Sequence, residues 1–284
     1  RLGTAICLVP QRNPVYTAKQ VTDLDSLSGG RVEFGIGVGW LSEEFEAVAM
    51  PFEKRGQRTD EHLAVMTSLW TEETSEFHGE LYDLPACSMY PKPVQTPHPP
   101  IHVGGESDAA MRRVARLGQG WFSFNRLPGD LAEPLGRLDG ILADHGRSRD
   151  EVVITVCPYF NPVTPELVEQ YAAAGVDRLV VLCLAFDVDT LNSQLDGLVA
   201  DGFRIDFPCS GMASSQVPPL VAEEHRVVPQ GRTLRKFGTQ RAREPAYILS
   251  VVQRERALGS PRRAWVIRLG PIDLDWPCDH ERIR

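Results

Sequence analysis

The sequence predicts an α/β protein built on a parallel sheet flanked by helices. Apolar runs of strand length alternate with helix-period runs six times in the first 200 residues. The strand runs show no apolar–polar alternation and read as apolar on both faces, the pattern of a parallel sheet covered by helices. In addition, two of these strands end in clustered glycines. That singles out the C-terminal edge of the sheet, where such folds bind ligands.

Leu2 to Val9 reads as the first strand, buried from its first residue. Pro14 to Leu27 follows as a helix, with Val15, Ala18, Val21, Leu24 and Leu27 on one face. Val32 to Ile36 is the second strand. Glu43 to Met50 and Arg58 to Trp70 are helices separated by Pro51, which cannot sit inside a helix. Phe77 to Pro93 is aromatic and punctuated by Gly and Pro, and is expected to form a hairpin-like excursion. Ile101 to Val103, Gly120 to Phe124 and Val152 to Cys157 are strands. Asp108 to Leu117 and Leu131 to Asp144 are the helices between them. Thr164 caps the next helix, with Pro165 at its first position and Gly175 just beyond its end. Arg178 to Leu184 is a strand and Thr190 to Ala200 the last helix. Six βα units are too few for a closed (β/α)8 barrel and typical of an open doubly wound sheet. Because the chain opens inside a strand, two more units are expected upstream, and periodicity leaves barrel and open sheet undecided.

Hydrophobic residues make up 42% and charged residues 24% of the 284 residues, which excludes disordered and collagen-like chains. No apolar run reaches the ~18 residues of a membrane span. The formal charge of −8 argues against a general nucleic-acid binder. The six cysteines are scattered, with no Cys-x-x-Cys pair, and are expected to be reduced thiols of a cytoplasmic protein. The charge is uneven: residues 1–200 are acidic, whereas the remainder is net basic, with Arg-rich stretches at Arg232 to Arg243 and Arg254 to Arg263. Apart from a short run at Tyr247 to Val252, that remainder keeps no apolar period. The expected organisation is therefore a βα domain over residues 1–201 and a poorly ordered Arg-rich tail over residues 202–284.

Two turns carry candidate chemistry. Gly35-Ile36-Gly37-Val38-Gly39-Trp40 closes a strand, and its glycines let backbone N–H groups approach a ligand. A dinucleotide turn needs its third glycine one residue later, where Trp40 stands. Val103-Gly104-Gly105-Glu106-Ser107 also ends a strand, and Ser107 is placed to cap the following helix. Exposed N–H groups and the helix dipole make that turn an anion site suited to a cofactor phosphate. Each turn also reads as a plain strand-to-helix connection. Arg12, in the polar turn Gln11-Arg12-Asn13-Pro14, either meets an anion or simply precedes the start of a helix. Metal ligation is not expected: Pro99 and Pro100 separate His98 from His102, and neither His62 nor His78 has ligand-spaced partners.

Four stretches, in order, resemble the luciferase-like monooxygenase superfamily, and most closely its coenzyme F420-dependent branch. They are Leu2-Gly3-Thr4-Ala5-Ile6 through Pro14; Leu24-Asp25-Ser26-Leu27-Ser28-Gly29-Gly30-Arg31 through Trp40; Tyr90-Pro91-Lys92-Pro93 through Gly105; and Ala115 through Trp121. The resemblance as a whole covers about residues 1–201. The resemblance implies a (β/α)8 TIM barrel of which this chain holds about six units, beginning at the third strand. It implies an oxidoreductase that transfers hydride with coenzyme F420, or with FMN, on a small-molecule substrate. Dimers are common in the family, so a homodimer is a possible assembly. The resemblance also implies a non-proline cis peptide at Ala5–Ile6 behind the cofactor ring, with Gly37 and Gly39 at the cofactor's border. Gly104, Gly105, Glu106 and Ser107 would hold its phosphate. The units that carry the family's acid and histidine precede this chain, so no catalytic residue is assigned.

Three other readings compete: a flavin-dependent monooxygenase, a non-catalytic cofactor-binding remnant, and a nicotinamide dehydrogenase on an open sheet. The last needs an acidic residue about 20 positions after the glycine turn. Asp60 and Glu61 are the nearest, and they read as solvated helix surface.

Overall fold

The computed structural model describes residues 1–185 and 187–200, and beyond them only four short strands. The elements in chain order begin with β1 (Leu2–Gly3), β2 (Cys7–Leu8), α1 (Pro14–Ser28) and β3 (Val32–Gly37). Next come α2 (Ser42–Ala47), α3 (Arg55–Thr71), β4 (Ser75–His78), β5 (Asp83–Cys87), β6 (Ile101–Gly104), α4 (Asp108–Leu117) and β7 (Gly120–Phe124). Then follow α5 (Ala132–Asp144), β8 (Val153–Cys157), α6 (Pro165–Ala173), β9 (Arg178–Leu179), β10 (Cys183–Ala185) and α7 (Val188–Ala200). The remaining strands are β11 (Arg204–Ile205), β12 (Tyr247–Leu249), β13 (Val252–Arg254) and β14 (Trp265–Ile267).

Three helices start where the sequence places caps. Asn13 Oδ1 accepts the N–H groups of Val15 and Tyr16 at 3.0 and 3.2 Å, and Gly29 ends α1 in the left-handed region at φ 64°. Ser107 caps α4 and Thr164 caps α6 in the same way. The strands β1 and β2 both pair in parallel with β3, which is followed in order by parallel β6, β7, β8 and β9. This is a curled parallel half-barrel with helices outside. The excursion is the antiparallel hairpin β4–β5.

The expectation of strands apolar on both faces is corrected by the structure. The helix-facing side is largely apolar, and the opposite side is mixed. Phe34 lies beside Ile101, Ile36 beside Val103, Val103 beside Trp121, and Trp121 beside Ile154, all of them buried. Phe34 meets Trp70 of α3 edge-on at 6.1 Å, and the Trp70 indole N–H donates to the Ala18 carbonyl at 3.0 Å, joining α3 to α1. The opposite, concave side carries glycines and polar groups, with Glu33, Gly35 and Gly37 on β3, His102 and Gly104 on β6, Gly120 on β7, Thr155 on β8 and Arg178 on β9, beside the apolar Phe122 and Phe124 of β7 and Val153 and Cys157 of β8.

One ion cluster fills that side. The carboxylate of Glu33 accepts both Arg178 NH groups, one of them at 3.0 Å, and lies 3.2 Å from His102 Nε2 and 3.3 Å from Arg1. β3 and β9 are four strand spacings apart, about 19 Å on a flat sheet. An arginine and a glutamate together cannot reach that far, so their contact requires the sheet to curl.

Two strand predictions change as well. Leu2 to Val9 is not one buried strand. It breaks around Thr4–Ile6, and Leu2 is 43% exposed. Arg178 to Leu184 divides into β9 and β10, and β10 pairs antiparallel with β12. Beyond β9 the sheet continues through antiparallel β13 and β14 to β11. These strands apart, the expected tail lies outside the described residues.

Burial alone would push the Glu33 carboxyl up, but hydrogen bonds and charge from His102 and Arg178 outweigh it and hold the group well below the usual carboxylate range. A depressed carboxyl pKa gives stability that is present above the unfolded-chain value and lost as pH falls toward the folded one. Arg178→Ala strands a buried carboxylate and is expected to cost about 3–5 kcal/mol in urea unfolding at pH 7. Glu33→Gln should flatten the loss of stability between about pH 5 and pH 3. Equal slopes for wild type and Glu33→Gln would remove Glu33 from the acid response.

Candidate functional site

The expected site residues gather at the C-terminal edge of the half-barrel, between β2, β3, β6 and α4. The Ala5–Ile6 peptide is cis. The residue before it is tied to β3: Thr4 N donates to the Glu33 carbonyl at 3.3 Å, and Thr4 Oγ1 donates to the Gly35 carbonyl at 2.7 Å. Ile6 then lies over two glycines. A Cβ on Gly37 would run into Ile6 Cδ1, and a Cβ on Gly104 would sit 3.1 Å from the Ile36 carbonyl and 3.4 Å from Ile6 Cγ2. Gly37 is therefore required by the packing of Ile6, and Gly104 by the close approach of the Ile36 carbonyl.

Gly39 has φ +74°, and a Cβ there would come within 2.9 Å of the Phe45 ring. Its carbonyl accepts Arg55 Nε at 3.0 Å. Trp40, the next residue, is 82% exposed. Gly105 has φ +117°, a region closed to side chains, and is held between the Phe122 carbonyl and the Trp121 indole N–H, the latter at 2.8 Å. Ser107 Oγ accepts the Ala110 N–H at 3.3 Å. The N–H groups ahead of Ala110 have no intrahelical acceptor, so α4 opens with donors directed out of its first turn.

Glu106 takes a different part from its neighbours. Its carboxylate accepts Ser123 Oγ at 2.6 Å and Arg126 Nε at 2.8 Å, and pairs with a second Arg126 nitrogen. Burial raises its pKa, but Arg126 and Ser123 lower it further, so the group stays ionised. Arg137 of α5 donates to the Glu106 carbonyl at 2.5 Å and lies 3.4 Å from Asp108. The Glu106 side chain thus fastens the turn to the end of β7. Arg126 is fixed from behind as well. Its carbonyl accepts the Tyr171 hydroxyl at 2.5 Å, and burial pushes the Tyr171 phenol up to about 12, which keeps the donor proton in place.

Sequence reasoning missed Ser123, Arg126 and Arg137, because separate elements bring them to the turn. It also misread Asp60 and Glu61 as solvated surface. Asp60 holds Arg113 at 2.7 Å and Arg116 at 2.8 Å. Glu61 accepts the N–H groups of Leu81 and Tyr82 at 2.8 and 2.9 Å. Both carboxylates anchor neighbouring elements, which leaves neither for a ribose. Arg12 is exposed beside the Cys7 thiol. Among the described residues, no group of three or more His, Cys, Asp or Glu is arranged to hold a metal. His98 packs on Trp70, His62 lies 3.3 Å from the Val9 carbonyl, and His78 bridges Glu76 and Asp83 on the hairpin. No described helix is long and apolar enough to cross a membrane.

The model of the luciferase-like monooxygenase family matches residues 1–213, three-quarters of the chain. The chain belongs to that family. An uncharacterized Mycobacterium tuberculosis relative is 38% identical over 148 residues, covering 52% of this chain and 50% of the relative. The luciferase-like chain thus spans about half the length of the curated relatives it matches. The FMNH2-dependent dimethylsulfone monooxygenase of Pseudomonas putida is 33% identical over 114 residues, 39% of this chain and 31% of that enzyme. Among solved structures, the coenzyme F420-dependent tetrahydromethanopterin reductase of Methanopyrus kandleri superposes with a TM-score of 0.50 at 20% identity, over 55% of this chain and 49% of that one. That likeness supports the TIM-barrel-type fold.

Two glycine substitutions with opposite expected signs test the backbone of the turn. Gly105→Ala places a side chain at φ +117° and 3.2 Å from the Ala110 Cβ, and should destabilise by about 1–3 kcal/mol. Gly136→Ala, in α5 with open space around it, should stabilise by about 0.5–1 kcal/mol. Urea midpoints moving in the same direction for both would contradict the strained turn.

Proposed function

We propose that this chain binds a flavin or deazaflavin at the C-terminal edge of its half-barrel, as part of an oxidoreductase acting on a small organic substrate. The supporting observation is the convergence of three backbone features on one edge. They are the Ala5–Ile6 peptide with Ile6 over Gly37 and Gly104, the left-handed Gly105, and the Ser107-capped start of α4. The residues fit the group. An α4 start rich in free N–H donors suits a phosphate, and the Ile6 side offers an apolar surface to a ring. Asp108 stands in the first turn of α4, and its charge is offset by Arg112 at 4.0 Å and Arg137 at 3.4 Å. Gly37, Gly39 and the Ile6 side would border the ring, Gly104 and Gly105 would shape the turn beside the phosphate, and Ser107 with the free N–H groups that open α4 would hold it. Glu106 would act by keeping the turn in place.

Such a cofactor supplies hydride or oxygen-dependent chemistry, while the protein supplies binding, orientation and exclusion of water. The FMNH2 and F420 named for the two relatives bring both cofactors into the proposal. Coenzyme F420 is the first choice, from the resemblance of the opening segments, and FMN is the alternative.

Fluorescence titration of the purified chain with F420 and, separately, with FMN tests the reading. Saturable binding of one, at least tenfold tighter for FMN than for phosphate-free riboflavin if FMN is the ligand, is expected. If neither binds to a folded sample, the proposal fails. For a preparation that turns over, an unchanged rate under argon eliminates the monooxygenase.

A further inference from the structure

Beyond the phosphate turn, the same strand edge carries three clustered rings. Phe124 ends β7, and Tyr159 and Phe160 follow β8. The Phe124 and Tyr159 centroids are 4.7 Å apart, and those of Tyr159 and Phe160 are 4.0 Å apart. Phe124 is 53% exposed and Phe160 65%. Single exposed apolar residues are ordinary, but a contiguous aromatic patch marks a contact surface.

The rings are held in place by the backbone. Tyr159 has φ +58°, unusual for a bulky residue, and Asn125 has φ +56°. The Asn125 N–H donates to the Cys157 carbonyl at 2.7 Å and Asn161 Nδ2 donates to Asn125 Oδ1 at 3.4 Å, fastening the β7 end to the β8 turn, while Asn161 Nδ2 also closes that turn on the Pro158 carbonyl at 2.7 Å. Left-handed non-glycine residues persist where surrounding contacts enforce them, and they cluster at binding sites.

The local charge is uniform. Gln119 to Asn125 and Val152 to Pro165 contain no Asp, Glu, Lys, Arg or His. Burial pushes the Cys157 thiol up, which keeps it neutral. Arg126, which follows Asn125 in the chain, is paired with Glu106. An anionic occupant would find no cationic partner on these two segments, whereas an uncharged aromatic ring would stack.

We infer that Phe124, Tyr159 and Phe160 form a substrate wall that selects an uncharged, ring-bearing organic substrate. This rests on the proposed cofactor site at the same edge, and it adds the substrate class. The rings continue that site from the β6 turn to the ends of β7 and β8.

The test uses the chain loaded with whichever of FMN or F420 binds, titrated calorimetrically with 2-naphthol and with the anionic 2-naphthoate. 2-Naphthol is expected to bind saturably and 2-naphthoate at least tenfold more weakly. Phe160→Ala, at an exposed position, should weaken naphthol about tenfold and leave the cofactor Kd unchanged. The inference is overturned if naphthol does not bind, or if Phe160→Ala and Tyr159→Ala both leave its Kd unchanged. An equal loss of cofactor affinity in Phe160→Ala would assign the rings to the cofactor. A dimer that Phe160→Ala dissociates would make them a contact between copies. Either result overturns the wall. Should neither cofactor bind, naphthol is titrated onto the chain alone. Binding weakened by Phe160→Ala then keeps the ring-binding wall while the cofactor reading falls, and no binding overturns both.

Discussion

The Glu33 carboxylate lies on the concave face of the sheet and receives Arg178 from β9 and His102 from β6. Flattening the sheet would separate Arg178 from Glu33 and leave a buried carboxylate without its arginine from β9, so the cluster requires the curl. Replacing such a cluster by apolar side chains can be neutral or stabilising, whereas removing one member is costly. The contribution of this ion pair is accordingly specificity of shape. It fixes which strands face one another across the concave side, and through them the position of the loops that follow.

Those loops form the edge where the candidate site lies. Little of the site depends on the chemistry of individual side chains. Glycine appears where Ile6 approaches β3 and β6, and again where the chain must turn at Gly105. Glu106 and Arg126 then connect two successive loops, so that the α4 donors and the aromatic end of β7 keep a fixed relation. A preformed edge of this kind reduces the ordering cost of binding. It also suits an oxidoreductase whose reactive group is a cofactor, since the protein's part is then to position and to exclude water.

Much of the fold was legible because local rules and tertiary packing agree. Asp108–Leu117 matches its predicted limits because Ser107 supplies the cap and the helical period supplies the buried face of Met111, Val114 and Ala115. Pro51 marks the break between α2 and α3, and Thr164 with Pro165 marks the start of α6. The polar groups on the concave face were not legible. Glu33 and His102 sit singly among apolar and glycine neighbours, and in a short strand that composition still reads as buried throughout. Arg178 stands 145 residues from its partner, and no local pattern encodes that distance. Asp60 and Glu61 read as solvent-facing because the groups they anchor arrive from α4 and from the hairpin.

The sequence by itself determined the order of strands and helices, the caps that start them and the two glycine turns that end β3 and β6. Each of these is a preference of a few consecutive residues for a backbone conformation or a buried face. Tertiary structure alone decided that the sheet curls rather than opens. It also decided that Glu106 faces Arg126, and that Phe124 meets the ring of Tyr159. Those outcomes depend on contacts between residues far apart in the chain, whose energies exist only once the strands have paired.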